Sequence, residues 1–360
     1  MNVLIVAKNS EFGGLVGHTR NLTIGLTRLG HRVIIGICKG EGSEGLLNDL
    51  CVEYFNWGSK NPLQIIKNFL SLRKLVRQNN IDIIHANNRI PAIYSAVYCA
   101  LNPRVKYIWA NHLVPLNGSW ISRMLTRYGY MAVAEGTEGA RMLNQTLKIP
   151  KSKISTINLG IDLSKFKKIP LESQRKLRED LGIEIDTKVI LLYGRLCPNK
   201  GHEFLLDSLA QISNRDFKLI FPGKDDCYRD FLTSKALKYG LNDNIIYPGF
   251  VKGTEYLSIT DLMVLPSKNE GFPQACVEAF AMGVPVIRTK SGGYEDTADM
   301  CYGVEYGDVD AFASLLNDFL EAPFKFNEKA AYAYSQVGRL SIEQMATNYQ
   351  ELYEDALKSK

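Results

Sequence analysis

Short apolar runs alternate with longer amphipathic stretches along most of the chain. Val3–Ala7 is apolar throughout and has the length of one buried strand. The glycine-rich turn Gly13-Gly14-Leu15-Val16-Gly17 follows it. Leu22, Leu26 and Leu29 then recur at i, i+4 and i+7, which predicts a helix with Gly30 as its stop. Val33–Cys38 predicts the second strand, Leu63–Arg77 an amphipathic helix, and Ile81–His85 and Val105–Ala110 two further strands. Strands alternating with helices in this way imply a parallel sheet covered on both faces. A polar stretch interrupts the rhythm, crowding Lys165, Lys167, Lys168, Arg175, Lys176, Arg178, Glu179 and Asp180. Beyond it, Val189–Tyr193, Lys218–Phe221, Asn244–Tyr247, Leu262–Leu265 and Val284–Arg288 read as strands, and Ser341–Lys358 as a terminal amphipathic helix. The pattern predicts α/β domains over 1–165 and 166–340, joined near Leu163–Pro170.

Length agrees with two domains, because 360 residues exceed what one hydrophobic core usually serves. A composition of 46% hydrophobic and 22% charged residues is that of an ordinary globular protein. The net charge of +5 is mild, and no arginine-rich tract accompanies it, which argues against a nucleic-acid partner. It suits an anionic substrate or an acidic membrane surface. The seven cysteines are scattered without C-x-x-C spacing, as expected in a reducing compartment. Met1–Ala7 lacks the basic start and long apolar core of a signal peptide, and no apolar run has the length of a membrane span. The expected location is the cytoplasm, including the inner face of the cell membrane.

The stretch carrying most chemical information is Ser267–Gly293, SKNEGFPQACVEAFAMGVPVIRTKSGG. Glu270-Gly271-Phe272-Pro273 reads as a loop, Gln274–Met282 as a helix ended by Gly283, and Val284–Thr289 as the next strand. A helix opening directly after such a loop presents unpaired N–H groups that suit anionic or hydroxyl-rich ligands. Glu270 and Glu278, separated by seven residues, place one carboxylate at the loop and another on the second helical turn. Upstream, Gly194-Arg195-Leu196-Cys197-Pro198-Asn199-Lys200-Gly201 sets two cations just after a strand, where α/β sheets bind ligands.

Together these segments resemble the E-x7-E and G-R-x-x-x-x-K-G motifs of retaining family 4 glycosyltransferases, also called glycosyl transferases group 1. The resemblance extends over nearly the whole chain. It implies the GT-B fold: two Rossmann-like domains facing each other across a cleft, an acceptor-binding first domain, a donor-binding second domain, and helix 341–360 packing back on the first. It implies a hexosyltransferase-type enzyme that moves a sugar from a nucleotide-diphosphate sugar, with UDP favoured, to a glycan or lipid-linked acceptor, as in bacterial surface polysaccharide synthesis. By the same resemblance, Arg195 and Lys200 touch the donor diphosphate, Glu270 and the N–H groups from Phe272 to Ala275 hold the sugar hydroxyls, and Glu278 holds the ribose. Gly271, Phe272, Pro273, Gln274 and Ala275 thus belong to the donor site. Gly13 and Gly14 form the loop approaching the diphosphate, Pro248-Gly249-Phe250-Val251 holds the base by its backbone, and Gly223 ends a family strand. His112 matches a histidine at the sugar's hydroxymethyl group. Gly17, His18, His85 and Asn87 fall on the acceptor side, while His31 and His202 read as surface groups.

Bland readings stand beside these. Strand-end cations and histidines are often solvated or structural, and Gly13–Gly17 also makes a plain tight turn. That turn has Phe12 where a dinucleotide fingerprint needs glycine, so it is a weak NAD signal. Asp308-Val309-Asp310 is formally a metal-binding D-x-D, but a helix cap explains it better; no cofactor or metal is expected. Trp120–Tyr128 and Leu63–Arg77 mix apolar and basic residues as interfacial helices do, and equally as core-facing helices with solvated basic sides. The alternative functions are a GT-B isomerase of nucleotide-sugars and a non-catalytic nucleotide-sugar binder. Two departures from the family pattern are Leu159, where Asn commonly stands, and Ala134, where Ser would cap a helix.

Overall fold

The computed structural model describes residues 1–8, 14–112, 118–251 and 253–359, with backbone only at 121 and 122. It forms two compact units, Met1–Ile161 with Arg339–Lys360, and Asp162–Gly338. The division falls just before the linker expected at Leu163–Pro170.

In the first unit the strands are β1 (Asn2–Ala7), β2 (Arg32–Cys38), β3 (Val52–Phe55), β4 (Ile83–Ala86), β5 (Lys106–Asn111), β6 (Ala132–Ala134) and β7 (Ile154–Thr156). All pair in parallel in the order β3-β2-β1-β4-β5-β6-β7. The strand order reverses direction between β1 and β4, which makes their carboxyl ends a ligand-binding switch point. Helix Gly14–Arg28 covers one face. It begins at Gly14, so the segment read as a glycine-rich turn is already helical from there; Gly13 lies outside the described residues. At Gly30, φ is +84°, the left-handed value a helix stop needs.

The terminal helix Ile342–Lys358 is capped by Ser341, whose hydroxyl accepts from the Gln344 N–H. It belongs to the first unit, where Ile342, Met345, Ala346, Tyr349 and Tyr353 pack with Val3, Ile5, Leu22, Leu26 and Ile83. A Cβ on Gly25 would stand 2.7 Å from the Ala346 Cβ, so glycine sets how closely these two helices approach. Ala134 lies within β6, and the helix after it, Thr137–Leu147, starts from Gly136. Position 134 is therefore not the cap of that helix.

The second unit contains β8 (Lys188–Leu191), β9 (Phe217–Ile220), β10 (Ile245–Ile246), β11 (Leu262–Leu265), β12 (Val286–Thr289) and β13 (Tyr302–Val304). Again all pairs are parallel, in the order β10-β9-β8-β11-β12-β13, with the switch point between β8 and β11. Leu205, Leu209, Phe217, Leu219, Val264, Phe312 and Leu316 fill the core on one side of this sheet. His202 is part of that interior: it is fully buried, edge-on to Phe221 at 4.9 Å, and not at the surface as its loop position suggested. Asp308 does cap a helix, accepting from the Ala311 N–H at 3.0 Å.

Candidate active site

Two loops meet at the β8/β11 switch point of the second unit. The first runs from Tyr193 to Gly201. Gly201 has φ +74°, and a Cβ there would lie 1.9 Å from the Pro266 carbonyl oxygen, so only glycine fits between the loops. The second runs from Pro266 to Pro273 and leads into helix Gln274–Ala281. Asn199 clasps the two: its backbone carbonyl accepts from the Lys268 N–H at 2.9 Å, and its side-chain amide donates to the Asn269 carbonyl at 2.8 Å. The sequence reading missed Asn199, although it stands inside the motif beside Lys200.

The clasp brings Lys200 to Glu270, Nζ to Oε1 at 2.8 Å, with both side chains mostly buried. The Lys200 stem passes 3.4 Å from where a Gly194 Cβ would be. Arg195 is mostly exposed and pairs with Asp226 at 2.9 Å, a surface pair of small energetic weight. Gly223 is wedged beneath, since a Cβ there would lie 1.9 Å from the Gly194 carbonyl oxygen. Its N–H donates to the Gly249 carbonyl at 2.8 Å, which ties the Pro248–Val251 segment to the same rim. Phe250 is exposed and Val251 half-buried.

Helix Gln274–Ala281 starts at Pro273, and no side chain caps its first turn. Its positive end therefore stays open beside the Lys200–Glu270 pair. Phe272 and Pro273 are buried; Gly271, Gln274 and Ala275 keep partial exposure. Glu278, one turn further on, retains some solvent contact, but the protein around it desolvates the carboxyl and pushes its pKa up to about 7. Burial, together with the Glu278 charge, raises the Tyr193 phenol to about 12. Tyr193 is thus a neighbour of Glu278 that the sequence reading did not single out.

A second cluster sits at the β4–β6 ends of the first unit. Asn87 Oδ1 accepts from His85 Nε2 at 2.8 Å and from His112 Nε2 at 3.0 Å, while its Nδ2 donates to Thr19 Oγ1 at 3.1 Å. The Tyr353 hydroxyl then donates to His85 Nδ1 at 2.6 Å. His112 Nδ1 meets Glu135 Oε1 at 2.6 Å. Burial would raise the Glu135 carboxyl, but the charge and hydrogen bond of His112 more than offset this and hold it below its ordinary value. His18 is fully buried, 4.7 Å ring-to-ring from His112, and burial lowers its pKa to about 3. Burial and the neighbouring histidines likewise hold His85 well below its ordinary range.

The acceptor-side expectation fits this cluster poorly. His18, His85 and Asn87 are interior groups that brace the strand ends, and the half-buried Gly17 lies in the helix beside them. Among the described residues, His18, His112 and Glu135 are the one group whose ligand atoms come within 4.8 Å of one another in the manner of a metal set. Both His112 nitrogens are already hydrogen-bonded, Nδ1 to Glu135 and Nε2 to Asn87.

Comparison with known proteins bears on the family and the fold. Residues 173–336 match the family model described as glycosyl transferases group 1, and residues 12–165 that of glycosyltransferase family 4. The chain is 25% identical over 269 residues to an N,N'-diacetylbacillosaminyl-diphospho-undecaprenol α-1,3-N-acetylgalactosaminyltransferase of Campylobacter jejuni, covering 69% of each. It is 24% identical over 270 residues to a UDP-Gal:α-D-GlcNAc-diphosphoundecaprenol α-1,3-galactosyltransferase of Escherichia coli, covering 70% of this chain and 69% of that one. Its fold matches that of the Anabaena protein HepE, solved in complex with UDP-glucose, with TM-score 0.85, 20% identity, and coverage of 99% of this chain and 100% of that one. The two family models between them span both parallel-sheet units and the paired residues of the switch-point loops, and the chain belongs to the group 1, family 4 glycosyltransferases of GT-B fold.

Proposed function

We propose that this glycosyltransferase moves a hexose, with retention of configuration, from a UDP-sugar to a hydroxyl of a lipid-diphosphate-linked glycan of the cell envelope. The observation that carries this reading is the Lys200–Glu270 pair, set beside an uncapped helix start at the β8/β11 switch point. A pyrophosphate brings charge that this ammonium and the open N–H groups can neutralise, and Arg195 adds an exposed cation at the rim. As the sugar–phosphate bond breaks, charge grows on the leaving diphosphate, and these fixed dipoles and cations stabilise it without an added metal. Glu278 accepts from the ribose hydroxyls. Glu270 accepts from the sugar's hydroxyls once its cation turns to the phosphate. In this reading Glu270 is a hydroxyl acceptor and not a nucleophile, and the acceptor attacks from the face the diphosphate leaves.

The names of the relatives support the donor and acceptor classes: one uses UDP-Gal, and both act on diphospho-undecaprenol-linked sugars. The test is release of UDP from a UDP-hexose panel, with and without a polyprenyl-diphosphate sugar. Release that rises about tenfold or more with the acceptor is expected. Equal release in both arms points to hydrolysis, an acceptor-free nucleotide-sugar product to the isomerase reading, and binding without release to the non-catalytic one.

A lipid-linked acceptor implies a visit to the membrane. No helix among the described residues is long and apolar enough to cross one. On helix Pro62–Gln78, however, Leu63, Ile66 and Leu70 are each more than half exposed, beside the exposed Lys67, Arg73, Lys74 and Arg77. Such a face suits an anionic lipid surface. The protein is expected to float with phosphatidylglycerol vesicles and not with phosphatidylcholine alone, and Ile66→Asp with Leu70→Asp should abolish flotation. Recovery of the doubly substituted protein equal to wild type would remove the membrane assignment.

A further inference from the structure

Arg288 is the one arginine among the largest fully buried side chains, with no exposed surface. It stands on β12, beside Leu265 of β11. Its guanidinium donates from Nε to the Thr289 carbonyl at 3.2 Å. From one amino group it donates to the Ser291 carbonyl at 3.1 Å, the Ser291 hydroxyl at 3.3 Å and the Gly292 carbonyl at 2.7 Å. None of these acceptors is a carboxylate, and the other amino group has no partner among the described residues. The Tyr294 ring adds a cation–π contact, 6.0 Å from the guanidinium carbon. A buried cation held by neutral oxygens and one ring, with no carboxylate among its partners, is still expensive and needs a reason.

The turn it grips supplies one. A Cβ on Gly292 would lie 2.2 Å from the Glu270 carbonyl oxygen and 2.6 Å from that of Gly271, so the turn's backbone lies flat against the donor loop. Gly293 (φ +75°) packs in the same way on Phe272 and Pro273. The Cys276 thiol, in the first turn of helix Gln274–Ala281, is raised by burial to about 12, and the charge of Arg288 acts on it against that rise.

We propose that Arg288 is a positioning residue of the donor site: it pins the Ser291–Gly293 turn that carries Glu270–Pro273, and keeps a positive charge beneath the open helix end. The role deepens the donor-binding reading above and rests on it. Only a planar fork reaches Thr289, Ser291 and Gly292 at once, so lysine is a poor substitute despite its charge.

The test compares wild type with Arg288→Met, which keeps volume, and Arg288→Lys, which keeps charge. Hydrogen exchange is read at the amides of 270–276, alongside the melting temperature, UDP affinity, kcat and KM. Arg288→Met is expected to melt no lower than wild type, because an unpaired buried charge is gone. Exchange at 270–276 should rise about tenfold or more while the rest of the unit is unchanged. Turnover should fall by roughly 10- to 100-fold, the scale of a misplaced catalytic loop, and Arg288→Lys should restore neither. Loop exchange and kcat within about twofold of wild type would overturn the role, as would a rise in exchange spread over the whole unit. If wild type bound no UDP-sugar, the donor reading would fall, and the exchange data would still decide whether Arg288 holds the loop.

Discussion

Replacing Lys200 with methionine is expected to lower kcat by about 10²- to 10³-fold, the loss typical when one preorganised charge is removed from a developing anion. The pair with Glu270 complicates the reading. Without its cation, a mostly buried carboxylate is left with no ion-pair partner, and breaking a buried pair costs on the order of 3–5 kcal/mol, less here for the partial exposure of both groups. Part of the lost activity would then follow from lost stability. The double variant Lys200→Met, Glu270→Gln separates the two contributions: the neutral amide tolerates the absent ammonium, so melting temperature recovers while turnover does not. Lys200→Arg keeps the charge on a longer, planar group and should retain part of the rate. Full kcat in the methionine variant would remove the ammonium from the mechanism.

The second large effect is a pH dependence through Glu278. Its carboxyl titrates at about 7 in the folded protein against 4.5 in the unfolded chain, because the protein around it disfavours the charge. Between those values the native state holds a proton that the unfolded chain has released, so stability falls as pH rises from about 4.5 to about 7 and is level above. At 1.36 kcal/mol per unit the full loss is roughly 3 kcal/mol, reduced by residual solvent contact. Glu278→Gln should flatten this slope and melt several degrees higher than wild type at pH 8. Donor binding should show the reverse trend. In the proposed site, ribose hydroxyls donate to the ionised form, so wild-type affinity for UDP is expected to rise through pH 7 and that of the glutamine variant is not. A wild-type stability profile without slope between pH 4.5 and 7, measured by thermal melts, would contradict the assignment.

Much of this was legible in the chain. The longer strands, the paired βαβ rhythms, the Asp308 cap and the terminal helix follow from periodicity and punctuation. The motif residues at the carboxyl ends of β8 and β11 do converge, because parallel strands bring all such ends to one edge of the sheet. Other features left no periodic trace. β6 has only three residues, and β3, β7 and β13 carry half-buried or exposed positions where β8, β9 and β11 present nearly continuous buried apolar runs. His202, His85 and Asn87 looked like loop or acceptor groups and are interior, because burial depends on what the fold lays over a residue and not on its neighbours in sequence. Seventy positions separate Lys200 from Glu270, and no local rule pairs them. Arg288 stood in an otherwise apolar strand, a conflict between pattern and residue type that signals a special role without naming its partners.

The central claim is that a nucleotide-sugar's pyrophosphate binds at the start of helix Gln274–Ala281 against Lys200. Calorimetric titration of UDP into wild type and the Lys200→Met variant tests it directly. The account predicts a saturable wild-type isotherm and an affinity about tenfold or more weaker in the variant; equal affinities in the two proteins would contradict it.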